Sequence, residues 1–213
     1  MSIQTNGTLL KEERIEGVAR AGLDRVHVSV HSLQAELSKK LFGSERYSIE
    51  KVKGVLAKIK ETGMEFALTP VWLPEVNDAD VEELVRFGKD VGCKVAIQKY
   101  ETYRYSRKVK DAGKKSFFRF YRQLREWEKK YGVVLKFRPE DFNVRQSKAI
   151  PPTFRIGERV NGVVKAPDWY LGQVIAVARN RCITVLKCDA RVGDKVNVRI
   201  VDNKNSIYLA ERV

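Results

Sequence analysis

Polar side chains that could bind a small ligand recur on one face of several strand-like segments. In the stretch RVHVSVH, valines alternate with His27, Ser29 and His31, and successive side chains of a strand point to opposite faces. The polar residues of this face are Asn6, His27, Ser29, His31, Thr69, Gln98 and Tyr100. A closed eight-stranded α/β barrel fills its interior with Val, Ile and Leu. The polar face therefore predicts a hydrogen-bonded ligand or a wet channel; the alternative is a flat sheet that turns this face to water.

Residue types that bind metals are few and far apart. His27 and His31 share a strand but lie about 13 Å apart at the usual rise of a strand, so they cannot hold one metal ion together. The cysteines Cys93, Cys182 and Cys188 are odd in number and irregularly spaced, which argues against a disulfide framework. We therefore predict no metal site in this chain.

The elements that position the polar face alternate between strand and helix. The predicted strands are Ser2–Thr8, Arg25–Val30, Glu65–Trp72, Lys94–Tyr100 and Val133–Arg138. The predicted helices are Lys11–Ala21, Ser48–Thr62, Asp78–Val91 and Ser116–Tyr131. Ser48 and Ser116 are suitable N-caps, and glycines follow the helical runs. This alternation predicts a partial, TIM-like parallel α/β barrel with right-handed crossovers.

The last third of the chain has a different pattern. The segment NVRQSKAIPPTF predicts a linker, because Pro151 and Pro152 continue neither a helix nor a sheet. Five short strands follow: Gly157–Ala166, Leu171–Val177, Cys182–Lys187, Lys195–Ile200 and Ser206–Ala210. Such strands within about sixty residues predict a small OB-like barrel. The predicted domains are residues 1–145, a linker at 146–153, and residues 154–213.

Charge is distributed unevenly along the chain. The net charge of +14 divides into −2 for residues 1–93, +11 for residues 94–150 and +5 for residues 151–213. A basic excess across two kinds of structure indicates a polyanion as partner; the alternative is a set of solvated basic helix faces.

The hydropathy pattern predicts no membrane-spanning helix. The sequence has no apolar run of the length that spans a bilayer, and its first residues lack the pattern of a signal peptide. We expect a soluble, cytoplasmic protein. The abundance of Lys and Glu is typical of thermophiles.

Three segments of the first domain resemble a known family. TNGTLL, GLDRVHVSVHSLQAELSKKLFG and LTPVWLPEVND are similar to the C-terminal half of a radical S-adenosylmethionine (SAM) enzyme barrel. The resemblance implies that Asn6 and Ser29 face the cofactor's ribose and that Val71 and Trp72 lie near its adenine. His31 would join this cofactor site, although it stands where many members of the family have Asp.

One defining element of that family is absent. Its members hold a [4Fe–4S] cluster through a CxxxCxxC loop, which this sequence lacks. The resemblance thus implies SAM and a cluster as family cofactors, but we expect no cluster on this chain and no radical chemistry from it alone. The chain resembles such a barrel from the fourth strand onward. The predicted strand Ser2–Thr8 would therefore have an open edge. Another polypeptide or self-association could close this edge; a truncated gene is the third explanation.

The C-terminal segment resembles a TRAM domain, the small RNA-binding barrel attached to several tRNA-modifying enzymes. GERV, RVGDKVNVRI and IYLAE carry the likeness. The barrel residues predicted to bind nucleic acid combine cations with stacking surfaces: Lys165, Trp169, Tyr170, Arg179, Arg181 and Lys187. The alternative role of Trp169 is to plug the end of the barrel.

A basic segment, KYETYRYSRKVKDAGKK, connects the sheet to the last helix. Its predicted nucleic-acid contacts are Arg104, Arg107 and Lys108, interleaved with tyrosines. In the helix that follows, the apolar residues are expected to form core instead of a binding face: Phe117, Phe118, Phe120, Tyr121, Leu124 and Trp127.

Together these observations predict the C-terminal portion of a radical SAM enzyme that acts on RNA, with tRNA as the expected substrate class. No catalytic residue is assigned. Two alternatives stay open: a stand-alone RNA-binding protein with a relic half-barrel, and a subunit that completes a barrel in trans.

Overall fold

The computed structural model describes residues 1–106, 108–144, 148 and 150–213. They form two compact units. The first contains Met1–Glu101 and Val109–Val144, and the second contains Thr102–Lys108 and Arg145–Val213. Among the described residues, no helix combines the length and apolar character needed to cross a bilayer.

The first unit is an α/β layer built on parallel strands. Its strands are β1 (Ser2–Thr5), β2 (Arg25–Val28), β3 (Glu65–Leu68), β4 (Val71–Trp72), β5 (Lys94–Val95) and β6 (Gln98–Lys99). Its helices are α1 (Glu12–Arg20), α2 (Ala35–Phe42), α3 (Ile49–Glu61), α4 (Asp78–Val91) and α5 (Phe117–Tyr131). The sheet order is β1-β2-β3-β5, and β4 pairs with β6. The predicted partial parallel α/β architecture is confirmed.

The apolar face of the sheet packs under the helices, as the alternation of side chains predicts. Val26 pairs with Phe66 and Val28 with Leu68, and all four side chains are buried in one core with residues of α1, α3 and α4. Helix α4 approaches β5 closely at Gly88, where an added Cβ would lie 2.2 Å from Val95 Cγ2. Only glycine permits this spacing without a shift in the packing.

The local signals at the helix ends are confirmed. Ser48 and Ser116 each accept a hydrogen bond from the third backbone N–H beyond them, at 3.3 Å in both cases. Gly92 and Gly132 end α4 and α5 in the left-handed conformation, where glycine has no steric penalty. The predicted set of helices lacks α2, a helix of 8 residues.

The predicted strand at Val133–Arg138 is wrong. The Leu135 and Lys136 N–H groups donate to Glu128 Oε1 at 2.9 and 3.0 Å, so a carboxylate of α5 takes the donors that a strand would give to its neighbour. Phe142, farther along, packs 5.4 Å from the His27 ring. The segment therefore covers part of the polar face near the amino ends of the strands.

A buried arginine fixes this covering segment. Arg25 is 5% exposed; its Nε donates to Glu65 Oε2 at 2.9 Å, and one Nη donates to the Phe142 carbonyl at 3.0 Å. Lys94 Nζ donates to the Asp141 carbonyl at 2.6 Å. The Arg25 guanidinium lowers the pKa of Glu65.

The second unit is a closed barrel. Its strands are β7 (Arg159–Pro167), β8 (Val174–Ala178), β9 (Arg181–Leu186), β10 (Lys195–Asp202) and β11 (Tyr208–Arg212). They close in the order β10-β11-β9-β8-β7, with β9 and β11 parallel and the other pairs antiparallel. The closed five-stranded barrel predicted from the sequence is confirmed.

The segment Thr102–Lys108 belongs to this second unit, although its place in the chain predicts the first. The Arg104 N–H donates to the Trp169 carbonyl at 2.7 Å, and this bond fixes the segment to the loop between β7 and β8. Of the predicted linker at 146–153, Gln146, Ser147 and Ala149 lie outside the described residues.

Candidate ligand site and barrel surface

Polar groups meet at the carboxyl ends of the central strands. Because the strands are parallel, their carboxyl ends share one edge of the sheet. Ser29 follows β2 and Thr69 follows β3, and their hydroxyl oxygens lie 3.4 Å apart. Ser29 is half-buried and Thr69 is buried. The structure thus unites two of the predicted polar residues, and either hydroxyl can donate or accept.

Asn6 lies at the same edge, after β1, and is exposed. Its Oδ1 accepts hydrogen bonds from the Thr8 N–H at 3.1 Å and from Thr8 Oγ1 at 2.8 Å. Gly7 takes a φ of +78° and lies against Val28 and Val52, which explains the TNG sequence of this turn. The turn holds the Asn6 amide, whose NH2 group carries two donors.

His31 is bound into the protein framework. Its Nδ1 accepts the Val71 N–H at 3.1 Å, and its ring stacks on Phe42 at 4.8 Å. Burial lowers the pKa of His31 to about 4, so the ring is neutral at physiological pH and its proton lies on Nε2. The structure therefore gives His31 the role of positioning the Val71 backbone, beside the predicted cofactor contact.

The two residues predicted near the adenine differ in accessibility. Val71 is half-buried. Trp72 is 2% exposed, donates from Nε1 to Asp78 Oδ1 at 2.8 Å and packs 5.0 Å from the Trp127 ring. The Trp72 side chain is thus packed under α5, and its contact with adenine stays a prediction.

No role was predicted for Asn77 from the sequence, yet this residue fixes the backbone at the carboxyl ends of the central strands. It is fully buried; its Oδ1 accepts the Leu73 N–H at 2.8 Å. Its Nδ2 donates to the carbonyls of His31 at 2.9 Å and Val71 at 3.1 Å. The sequence signal for this role is the position of Asn77, a polar residue directly before α4 that follows a mainly apolar segment.

The cysteines do not form a ligand set for an iron–sulfur cluster. Cys93 belongs to the first unit, where burial raises its pKa to about 12, whereas Cys182 and Cys188 belong to the barrel. Cys188 is buried in the barrel core. Within the described ranges, no group of three or more Cys, His, Asp or Glu side chains could hold a metal ion.

In the barrel, the predicted nucleic-acid residues divide between two ends. Trp169 and Tyr170 are 60% and 51% exposed in the loop between β7 and β8, so the alternative in which Trp169 plugs the barrel is wrong. Lys187 lies at this same end, because the next residue, Cys188, donates its N–H to the Gly172 carbonyl at 2.8 Å. Lys165 is exposed where β7 shifts register, near that loop.

Arg179 and Arg181 lie at the opposite end, around the turn between β8 and β9. Arg179 pairs with Glu158 at 2.7 Å and lies over the Phe154 ring. Arg181 Nε donates to Thr153 Oγ1 at 3.4 Å. The structure therefore does not bring these arginines to Trp169, and it uses both in contacts within the barrel.

The basic segment contributes to the Trp169 end. Tyr103 makes edge contacts with Trp169 at 6.2 Å and Tyr170 at 5.5 Å. Arg104 is exposed and lies 5.4 Å over the Tyr105 ring. Lys108 is exposed at the end of the segment, and Arg107 lies outside the described residues.

The aromatic residues of α5 divide between core and surface. Phe120, Leu124 and Trp127 are buried, as predicted. Phe117, Phe118 and Tyr121 are 58%, 69% and 44% exposed, so the prediction of a core role is wrong for them. Lys99 lies 4.6 Å over the Phe117 ring.

Comparison with known proteins agrees with this architecture. The described residues form a partial parallel α/β sheet followed by a closed five-stranded barrel. The model of the Radical SAM superfamily matches residues 1–88 of this chain.

Sequence relatives cover different shares of the chain. An uncharacterized protein of Methanocaldococcus jannaschii is 29% identical over all of this chain and 55% of its own length. A probable GTP 3',8-cyclase of Thermococcus kodakarensis is 30% identical over 74% of this chain and 49% of its own. The GTP 3',8-cyclase of Aquifex aeolicus is 34% identical over 47% and 31%. The chain therefore spans about half, or less, of these relatives.

Solved structures share the fold. Streptococcus suis SuiB superposes with a TM-score of 0.50 and 21% identity, over 61% of this chain and 29% of SuiB. Native anSMEcpe with bound AdoMet superposes with a TM-score of 0.50 and 16% identity, over 83% of this chain and 50% of that protein. Both likenesses concern the fold alone.

Proposed function

We propose that the first unit is part of a radical SAM catalytic domain that binds the adenosine portion of SAM at the strand ends. The observation that carries this proposal is the Ser29–Thr69 hydroxyl pair at the carboxyl edge of the parallel strands, with Asn6 at the end of the neighbouring strand. Hydroxyl and amide groups of this kind can bind ribose hydroxyls. SAM would supply a methionine-linked adenosyl group; because the cysteines of this chain do not fit a cluster, we derive no radical step.

Binding of S-adenosylhomocysteine to the whole chain, measured by isothermal titration calorimetry, tests this proposal. Replacing Ser29 by Ala removes a hydroxyl and is expected to weaken binding about fivefold, the effect of one hydrogen bond worth about 1 kcal/mol. Ser44→Ala, at an exposed site of the same unit, is the matched control and should bind normally. A titration without heat of binding, or equal affinities for both variants, would contradict the proposal.

We propose further that the barrel is a TRAM-type module and that the chain acts on RNA. The barrel's closed topology, its net charge of +5 and its exposed Trp169 and Tyr170 support this assignment. GTP appears in the names of the cyclase relatives, and we do not assign it to this chain. The alternative, a stand-alone RNA-binding protein, rests on the same barrel surface without the strand-end site.

Titration with tRNA at several salt concentrations tests RNA binding. Release of counterions from phosphates makes the logarithm of affinity fall linearly with the logarithm of salt concentration. We expect a clearly negative slope in a filter-binding or anisotropy assay. A slope near zero, or no binding at low salt, would contradict the polyanion proposal.

The edge of β1 supports a proposal about partners. Among the described strands, β1 pairs with β2 alone, so its other edge presents backbone donors and acceptors to a further strand. We propose that this edge pairs either with strands of another polypeptide or with a second copy of the chain.

A further inference from the structure

Two separate segments of the second unit form a surface at one end of the barrel. We call it the loop-end surface, formed by Thr102–Ser106 with Lys108 and by the loop from Asp168 to Gln173. Its exposed aromatic residues are Tyr105 at 61%, Trp169 at 60% and Tyr170 at 51%. Burial of a large aromatic ring away from water is favourable, so three exposed rings in these two segments indicate a binding surface.

Backbone and side-chain bonds hold this surface in place. The Arg104 N–H donates to the Trp169 carbonyl at 2.7 Å, and the Trp169 N–H donates to Oδ1 of buried Asp168 at 2.7 Å. Ser106 Oγ accepts the Tyr103 N–H at 2.9 Å. Because the rings are positioned before a ligand arrives, binding costs less conformational entropy.

The charge of the surface selects an anionic partner. The described residues of the segment, 102–106 and 108, include two basic residues, Arg104 and Lys108, and no acidic one. Asp168 is buried and its Oδ1 accepts the Trp169 N–H. Exposed Asp189, next to Cys188, offsets the charge of Lys187 at this end, so the basic excess comes from Arg104 and Lys108. Arg179, at the opposite end, is instead paired with Glu158.

We propose that the loop-end surface binds single-stranded RNA by stacking an unpaired base on Trp169, with Arg104 and Lys108 contacting phosphates. This inference rests on the proposed RNA binding and assigns its site and the form of the nucleic acid. Aromatic side chains stack on any base whose face is open, whereas the bases of a duplex are already stacked on one another. Residues 102–106 lie within the predicted first domain in sequence, but they belong to the second unit. They therefore contribute to the proposed binding site of the barrel.

Tryptophan fluorescence provides a direct test on the whole chain. The chain has three tryptophans; Trp72 and Trp127 are 2% and 5% exposed, whereas Trp169 is 60% exposed. Quenching by acrylamide therefore reports mainly on Trp169. Oligouridylate is expected to shield Trp169 from acrylamide, and an RNA duplex of equal length is expected to bind at least tenfold more weakly.

Variants locate the site. Trp169→Ala and Tyr105→Ala should each weaken oligouridylate binding about tenfold, within the range for loss of one stacking contact. Trp169→Phe keeps an aromatic face and should retain most of the affinity. Arg104→Ala should weaken binding and reduce the salt slope by about one. Lys204→Ala, an exposed residue between β10 and β11 at the opposite end of the barrel, is the control and should bind as the parent chain does; circular dichroism confirms folding of each variant.

The outcomes separate this inference from the proposed function. If the chain binds RNA with a negative salt slope but Trp169 stays open to acrylamide and Trp169→Ala binds normally, the loop-end site is wrong while RNA binding stands. Equal affinity for duplex and single strand would also overturn the inference. If neither RNA binds at low salt, the proposed RNA binding fails, and the inference fails with it.

Discussion

Replacing Asn77 by Ala lowers the free energy of unfolding of the first unit by about 3–5 kcal/mol, the largest single effect we expect. The side chain is fully buried and bonds the Leu73 N–H and the carbonyls of His31 and Val71. Each buried backbone group that loses its partner costs about 1–3 kcal/mol. Urea unfolding followed by circular dichroism measures the change.

Two further variants distinguish hydrogen bonding from loss of volume. Asn77→Asp keeps the side-chain volume but places an oxygen opposite two carbonyl oxygens, so it should destabilise the unit about as strongly as Ala does. Asn6→Ala affects an exposed turn and should cost under about 1 kcal/mol. If Asn77→Ala proved as mild as Asn6→Ala, the assigned network would be wrong.

Lowering the pH from 7 to 5 destabilises the first unit by about 2 kcal/mol through His31 alone. Burial lowers the pKa of folded His31 to about 4, whereas the unfolded side chain titrates near its ordinary value of about 6.5. Between these values the unfolded state binds more protons, so stability falls as the pH falls through this window. Protonation of Nδ1 would also remove the acceptor of the Val71 N–H.

The pH dependence is measured as the free energy of unfolding at several pH values between 7 and 5. The chain has two histidines, which permits a matched pair of variants. His31→Gln should flatten the curve, and His27→Gln should keep most of its slope, because His27 is less buried and the pKa of its ring is lowered less strongly. Identical curves for the parent chain and His31→Gln would contradict this role.

Both predictions concern the same network, and it also bears on the candidate ligand site. Asn77 and His31 hold the backbone at Val71, next to the Ser29–Thr69 pair. A ligand at the strand ends would therefore meet a prearranged edge, with little rearrangement needed on binding. This arrangement explains why the segment LTPVWLPEVND contains two buried polar residues, Thr69 and Asn77, among apolar ones.

The sequence alone determined those parts of the fold that depend on neighbouring residues. Alternation identified Val26 and Val28 as core and Ser29 as part of the polar face, because a strand turns successive side chains to opposite sides. Ser48 and Gly92 marked helix ends, because caps require bonds or backbone angles available only to a few residue types. The five short barrel strands followed from the same alternation and their turns.

Only the tertiary structure decided features that depend on contacts between distant residues. Residues 133–138 alternate like a strand, yet Glu128 takes their donors. Trp72 resembles a ligand contact in its motif, but α5 covers it. Arg104 and Trp169 are far apart in sequence, and one hydrogen bond joins them. The physical reason is that periodicity encodes which face of an element is apolar, whereas the partner that covers this face is chosen by packing across the whole unit.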